Sequence, residues 1–503
     1  MKNYLTDEQE ATRYRSPRSD SAHSWSPRKM GRVLAAVVTS ATLALGGGTL
    51  AASAASAAAP APAETVVSLT FDDGRASQMD AQAVLNQYDF DGTFYINSGF
   101  VDGANFVTRA DLETLAAAGH EIGGHTVNHP DLAATSEAEV KRQVCNDRAV
   151  LTGWGYDVRS FAYPFASSTP ANEAVVADCG YRSARMLGDI ETRFGCAGCD
   201  TAESTPPENA FYTKALDQVE PTWTLDDYKA GVTAAENNGG GWVQYTFHSF
   251  CAAGAAGCEE PSTTLALFAD FAEWLSTRDG VVVKTVGDVI GGDAKPVVTA
   301  EAVAAPGPGV NAITNAAFET INANGLPECW MQGGYGANTA AFTTSPGRSG
   351  NGSTVTVSGY TDGDAKLLPM FDSGTCSPTV TAGHTYSLRA YYSSTTVTQF
   401  AVYLRTAGGT WQYWTSSPWF AESDAFTQAA WTTPTIPAGM TGISFGLNMF
   451  NNGTITTDDY ALYDSVGAPA TDGNIVIGPV SAPVVTGPVE IHAVSSDPNQ
   501  PTP

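Results

Sequence analysis

The sequence predicts two folded parts in succession, an α/β domain built on a parallel sheet or barrel and then an all-β sandwich. Three observations carry this. Between Val66 and about Gly292, short β-branched runs alternate with helical stretches, the pattern of strands joined by crossover helices. From about Gly291 to Val310 the chain is rich in Ala, Pro, Gly and Val, as linkers are. Beyond it, short alternating segments are divided by Gly-, Ser- and Asp-rich turns, the texture of a sandwich. At 503 residues the chain is too long for one ordinary domain.

Val66–Phe71 reads as a buried strand ending in a turn, and Gly92–Asn97 as a second strand. Thr108–Ala118 is a helix with a Thr cap and Gly119 behind it. Glu121–Gly124 leads into His125-Thr126-Val127-Asn128-His129. Ser136 and Glu139 form a capping-box pattern for a helix running to about Leu151. Val158–Tyr163 is a strand and Pro170–Cys179 a helix. Trp223–Asn237, Trp242–His248, Thr263–Thr277 and Val281–Thr285 continue the alternation. Ser353–Ser358, Thr385–Tyr392, Phe400–Arg405 and Ile443–Phe450 are the clearest sandwich strands. The expected divisions are therefore an N-terminal extension and signal segment (1–57), the α/β domain (66–292), a linker (293–310), the sandwich (311–468) and a tail (469–503) with no structural reading.

Basic Arg28, Lys29 and Arg32 precede an apolar run from Val33 to Leu45. Small-residue sites follow at Ala52-Ser53-Ala54 and Ala55-Ser56-Ala57, which is signal-peptide grammar. Gly46-Gly47-Gly48 interrupts the run early, so export with cleavage is expected rather than a membrane span. The expected location is secreted or cell-wall associated. Eight cysteines in an exported chain read as disulfides. Cys329 pairs with Cys376 in the C-terminal part; Cys251 with Cys258 and Cys196 with Cys199 are local candidates, leaving Cys145 with Cys179, although other connectivities are open. The 52 acidic residues against 25 basic give a net charge of −27. That excludes nucleic acid as a partner and leaves a neutral polysaccharide open.

Three segments carry chemistry: Thr70-Phe71-Asp72-Asp73-Gly74, His125–His129 and Thr246-Phe247-His248. Two histidines at i, i+4 reach one ion if their segment is helical or a tight turn. Adjacent carboxylates at a strand end give one ligand to a metal and one base for water. Gly74 lets the backbone turn sharply there. Asp72, His248 and the loop after Tyr163 all fall at expected strand C-termini, where a parallel barrel builds its site. Either motif alone is as well explained by a turn or a solvated helix face. Together they are the equipment of a metal-dependent hydrolase. Of seven histidines, His120 is left to packing or hydrogen bonding.

In this order the segments resemble the polysaccharide deacetylases of the NodB-homology type (carbohydrate esterase family four), over about Val66–Gly292. The resemblance implies a distorted (β/α) barrel and a divalent metal, usually Zn2+. It makes Asp72 the catalytic base, Asp73, His125 and His129 the metal ligands, and His248 the acid. Phe161-Ala162-Tyr163-Pro164-Phe165-Ala166 is similar to the family's third motif, so Tyr163, Pro164 and Phe165 would wall the groove, with the Phe165 N–H aimed at the oxyanion. Many members carry an Arg where this chain has Ala162; Arg159 is one candidate replacement. The implied reaction is removal of N-acetyl groups from N-acetylglucosamine-type polymers. The same equipment fits an O-acetyl esterase of the acetylxylan type, and a non-catalytic carbohydrate-binding envelope protein is the alternative from another class. Asn315–Glu319 and Thr457–Leu462 are similar to the ends of jelly-roll carbohydrate-binding modules. Glu319 and Asp459 would then share a structural Ca2+. Trp411 and Tyr413 fall on one strand face and Trp414 on the other. With Trp419 they are candidates either for sugar stacking or for core.

Overall fold

The computed structural model describes residues 64–255 and 258–472. The expected signal segment and the tail beyond Asp472 lie outside the described residues. The first domain runs β1 (Thr65–Phe71), α1 (Gln78–Gln87), β2 (Thr93–Ile96), α2 (Arg109–Ala117), β3 (Glu121–Gly124), α3 (Glu137–Gly153), β4 (Ser160–Ala162), α4 (Pro170–Asp178) and β5 (Ser183–Arg185). It continues with α5 (Leu225–Asn237), β6 (Gly241–Phe247), the short pair β7 (Ser249–Phe250) and β8 (Ser262–Thr263), α6 (Leu265–Ser276), β9 (Val281–Val283) and α7 (Val286–Ile290).

The parallel sheet has the order β5-β4-β3-β2-β1-β6, with β9 beside the first half of β1 and β2 beside its second half. Every residue of β1 is buried, as a strand covered on both faces requires. The sheet is open between β5 and β6, and irregular backbone from Thr213 to Val219 spans the gap. Met186 N–H donates to Thr213 O (3.0 Å) and Thr213 N–H to Ala184 O (2.9 Å) on one side. Leu216 N–H donates to Gln244 O (3.2 Å) and Val219 N–H to Thr246 O (2.9 Å) on the other. The result is the expected distorted (β/α) barrel, half of it regular sheet. The Phe71 ring stacks on Phe94 at 4.4 Å and on Phe247 at 5.5 Å. These rings fix the ends of β1 and β6 immediately before Asp72 and His248.

Local signals fare unevenly. Thr108 caps α2 with a full capping box to Asp111. α3 begins where Ser136 predicts, but Ser136 makes no side-chain cap. The Glu139 carboxylate is taken instead by Arg142, Gln143 and the sandwich residues Ser373 and Thr375. The histidine segment is an irregular loop, not a helix, and Thr126 (φ 70°) and His129 (φ 57°) are left-handed in it.

The second domain is a sandwich of two antiparallel five-stranded sheets. One, in the order β10-β13-β18-β15-β16, comprises β10 (Trp330–Tyr335), β13 (Asp364–Pro369), β18 (Met440–Met449), β15 (Phe400–Thr406) and β16 (Trp411–Ser416). The other, β11-β12-β19-β14-β17, comprises β11 (Thr339–Pro346), β12 (Asn351–Ser358), β19 (Gly453–Asp464), β14 (Tyr386–Ser394) and β17 (Ser423–Thr432). All four expected disulfides are present: Cys145–Cys179, Cys196–Cys199, Cys251–Cys258 and Cys329–Cys376.

The linker region is strapped to the barrel. Arg148 donates to Lys295 O (2.7 Å) and Pro296 O (3.1 Å), and Ala300 N–H donates to Asn146 Oδ1 (3.1 Å). Trp411 corrects the stacking platform. It is buried, its ring stacked on Phe371 at 4.7 Å, because that sheet face carries its own small apolar cluster. Trp414 packs on the sandwich core, Tyr413 lies edge-on to Tyr403, and Trp419 edge-on to Phe450. Asp459 faces Arg348 (2.8 Å) and Glu319 accepts from Asn351 N–H (3.3 Å). Among the described residues no helix is long and apolar enough to cross a membrane.

His120 packs 5.5 Å from Phe94, and its Nδ1 accepts Gly92 N–H at 3.2 Å. Burial pulls its pKa down to about 4. Its folded value lies below its unfolded value near 6.5, so its contribution is present above pH 6.5 and lost as pH falls toward 4. His120→Gln should be less stable than the parent at pH 7, and that deficit should narrow by on the order of 2 kcal/mol between pH 6.5 and 4. Urea titrations across that range check it; a constant deficit would contradict the assignment.

Candidate active site and metal centre

The site is built on adjacent strand ends. Phe71 and Phe247 are register partners, and Asp72 N–H donates to Phe247 O at 2.9 Å. Gln78 donates to both Asp72 O (2.5 Å) and His248 O (3.0 Å), so one buried amide ties the expected base and acid together. Asp73 (φ 72°) and Gly74 (φ 66°) are both left-handed. For Asp73 this conformation costs about 1–2 kcal/mol. It turns the second carboxylate away from the first.

The Asp73 Oδ1 atom lies 3.4 Å from His125 Nε2 and 3.2 Å from His129 Nε2. One donor atom from each of the three residues falls within 4.8 Å of the others, and no second such group of His, Cys, Asp or Glu occurs among the described residues. Asp73 Oδ1 is buried without a hydrogen-bond partner, an orphaned acceptor that a cation would satisfy. His125 Nδ1 is 2.7 Å from Ala162 O. A carbonyl only accepts, so Nδ1 carries the proton and Nε2 presents a lone pair toward Asp73. The donor set therefore fits a divalent ion of the zinc class. Burial raises the Asp73 carboxyl, but neighbouring charge, the Arg75 guanidinium among it, holds it well below the usual range. Burial drives His129 down to about 3, the neutral form a ligand needs. It lowers His248 as well, against the opposing pull of Asp73 and Asp72.

Several groups were not legible as site residues. Arg75 donates to Asp73 Oδ2 at 3.3 Å and pairs with Glu259, just beyond the Cys251–Cys258 bridge. Asp147 accepts His125 N–H (3.2 Å) and Ser98 N–H (2.9 Å), and burial pushes its pKa up to about 7. Arg185 pairs with Asp72 Oδ2, with both side chains almost wholly buried. Its position answers the departure at Ala162. The two are register partners on β4 and β5, and such partners project to the same face. The guanidinium thus comes from the neighbouring strand at the level where the family's Arg would stand. Arg159 is not the replacement; it pairs with Asp157 and Asp288.

In the third-motif segment Tyr163 is buried, its hydroxyl donating to Phe211 O (3.0 Å). Pro164 is buried too, and Phe165 (φ 57°) is exposed and sets its ring 4.6 Å from His129. Phe165 thus forms the rim beside the histidines, with Tyr163 as the support beneath.

The fold and site define an α/β-barrel protein with an Asp-His-His donor centre beside a buried Asp–Arg pair. Residues 59–184 match the family profile described as Polysaccharide deacetylase. The chain is 34% identical over 103 residues to a gellan lyase of Bacillus sp., covering 20% of this chain and 4% of that one. It is 40% identical over 81 residues to a chitooligosaccharide deacetylase of Sinorhizobium fredii, covering 16% and 35%. It is 25% identical over 122 residues to a peptidoglycan-N-acetylglucosamine deacetylase of Bacillus cereus, covering 24% and 55%. The chain thus spans from a few per cent to about half of these curated relatives.

Removing one member of a buried ion pair leaves the other charge uncompensated, at a cost of about 3–5 kcal/mol. Arg185→Met should destabilise the domain by about that amount, and adding Asp72→Asn should recover most of it. Urea denaturation of both variants checks the pair; additive losses would show the two groups to be uncoupled.

Proposed function

We propose that the protein is an exported, metal-dependent polysaccharide deacetylase that hydrolyses N-acetyl groups of N-acetylglucosamine-type polymers to acetate and free amine. The observation that carries this is the gathering of Asp73, His125 and His129 at one strand end with Asp72 and His248 alongside. The names of the relatives from Sinorhizobium fredii and Bacillus cereus support the substrate class. The signal-like segment and four disulfides support action outside the cytoplasm, at the cell wall or beyond.

Asp73, His125 and His129 would hold the ion, which when bound lowers the pKa of water and polarises a carbonyl. The protein's own groups do the rest. Asp72 has one carboxylate oxygen on Arg185 and the other, Oδ1, buried without a partner; that free oxygen takes the proton of the attacking water. Arg185 pairs with Oδ2 and so leaves Oδ1 as the oxygen free to face the substrate. The Phe165 N–H lends a donor to the developing oxyanion. His248, when protonated, gives its proton to the departing amine, which is otherwise a very poor leaving group.

His129→Ala should lose most bound zinc, whereas His120→Ala should keep it. Elemental analysis after dialysis decides, and equal zinc in parent and His129→Ala would overturn the ligand set.

Asp72→Asn should keep its zinc and lose turnover by about 100-fold or more. Acetate release is read on chitin oligomers, peptidoglycan, poly-N-acetylglucosamine and acetylxylan. Release from acetylxylan alone would make the protein an O-acetyl esterase, and release from none would remove the enzymatic reading.

A further inference from the structure

The histidine loop is braced from outside the barrel. Gln143 on α3 holds Asn128, which stands between the two histidines. Asn128 N–H donates to Gln143 Oε1 (2.9 Å), and Gln143 Nε2 donates to Asn128 Oδ1 (3.2 Å). The same Nε2 reaches Glu139 Oε1 (2.9 Å) and Ser373 Oγ of the sandwich (3.2 Å). Ser373 N–H donates to Glu139 (2.6 Å), and Thr375 Oγ1 joins Glu139 (3.2 Å) to Arg142 (2.7 Å). The 372–377 stretch supplying these contacts is rigid. The Asp372 carboxylate accepts from Gly374 N–H (3.0 Å), Cys376 N–H (2.6 Å) and Ser377 N–H (3.0 Å), and Cys376 is bridged to Cys329. A second contact is direct. Asn128 Nδ2 donates to Gly409 O (3.2 Å), and a Cβ at Gly409 (φ 92°) would fall 2.3 Å from Val127 Cγ1.

Gln143 and Gly409 touch the loop between two residues assigned to the metal directly, and Ser373 and Thr375 reach it through Gln143 and Glu139. We infer that the sandwich is a positioning element of the metal centre: through Gly409 and the 372–377 stretch it holds Val127, Asn128 and Gln143, and so sets the geometry in which His125 and His129 meet an ion. This rests on the metal reading given above. It assigns the second domain a role besides any polymer binding, and makes Gly409 a residue whose lack of a side chain serves a site in the other domain.

The test measures zinc affinity of the full chain by competition with a chelating dye, with a thermal melt of each variant alongside. Groups that orient ligands alter metal affinity by about 10–100-fold when removed. Gly409→Ala should weaken zinc binding by about tenfold, and Val127→Ala added to it should restore most of that loss. With Val127 trimmed, the nearest atom to the new Cβ is Val127 Cβ at 3.6 Å, an ordinary contact, so the double variant keeps only the backbone strain of a side chain at φ 92°, which the thermal melt reads. Damage confined to the sandwich backbone would not be rescued from the barrel side. Thr375→Val, which leaves the loop's own sequence intact, should weaken binding at least threefold and decides alone if Gly409→Ala does not fold. Unchanged affinity in both sandwich variants, or a Gly409→Ala loss that Val127→Ala does not relieve, would overturn the inference while leaving the metal site standing. A parent chain that binds no zinc would remove both.

Discussion

Two neighbouring carboxylates at the end of one strand repel each other and compete for the same surroundings, and this chain resolves the conflict with two arginines and one backbone turn. Asp72 continues the direction of β1 and gives Oδ2 to Arg185. Asp73, left-handed, swings toward the histidines and gives Oδ2 to Arg75. In each carboxylate the remaining oxygen is buried and unpartnered. One cation thus sits on each carboxylate in a place where burial disfavours charge. The fixed pairing also decides which oxygen is left over.

The rest of the first domain serves that arrangement. β1 lies between β6 on one side and β9 and β2 on the other, and the end that carries Asp72 is held by β2 and β6. The histidine loop has no regular structure and depends on point contacts. Asp147 holds His125 N–H, Asn97 donates to the carbonyls of His125 and Thr126 (3.2 Å to the latter), Gln143 O accepts Val127 N–H (3.1 Å), and Thr126 Oγ1 accepts His129 N–H (2.9 Å). Two left-handed non-glycine residues make the loop costly in isolation, by about 1–3 kcal/mol each. It persists because the surroundings over-determine it.

What could be read from the sequence follows from this division. Asp72, Asp73, His125, His129 and His248 were legible because they stand in short contiguous motifs beside recognisable strands. Arg185 was not: its relation to Asp72 depends on the register of two three-residue strands, β4 and β5, which neither composition nor periodicity specifies. The histidines were legible as a pair but not as a loop, since i, i+4 spacing is shared by helices and by tight irregular segments. Ser136 and Glu139 misled in an informative way. A carboxylate three residues past a serine reads as a cap, and here tertiary contacts outcompeted it. Trp411 and its neighbours gave the correct alternation of faces, but periodicity does not tell a sheet face open to ligand from one covered by Phe371.

The linker shows how composition and structure part company. An Ala-, Pro- and Gly-rich stretch has little side-chain surface of its own to bury, so the sequence reads it as a free tether. Its backbone carbonyls are nevertheless strong acceptors, and Arg148 captures two of them while Lys295 reaches back to Tyr181 O at 2.8 Å. Such contacts demand no side-chain pattern in the captured segment, which is why no pattern announces them. Their consequence is architectural. A strapped linker shortens the reach of the sandwich and favours one docked position over a wandering one. A docked position is what allows Ser373, Thr375 and Gly409 to act on a loop more than two hundred residues earlier in the chain. At that junction Glu139 pairs with Arg142 within α3 and accepts from Ser373 and Thr375 of the sandwich, while Arg405 donates to Asp372 O (2.7 Å) within the sandwich, and all four charged side chains are buried. Misaligned docking would take the Ser373 and Thr375 donors from the buried Glu139 carboxylate, and a buried charge left short of partners is costly. The junction therefore selects one geometry between the domains, and the histidine loop inherits that geometry.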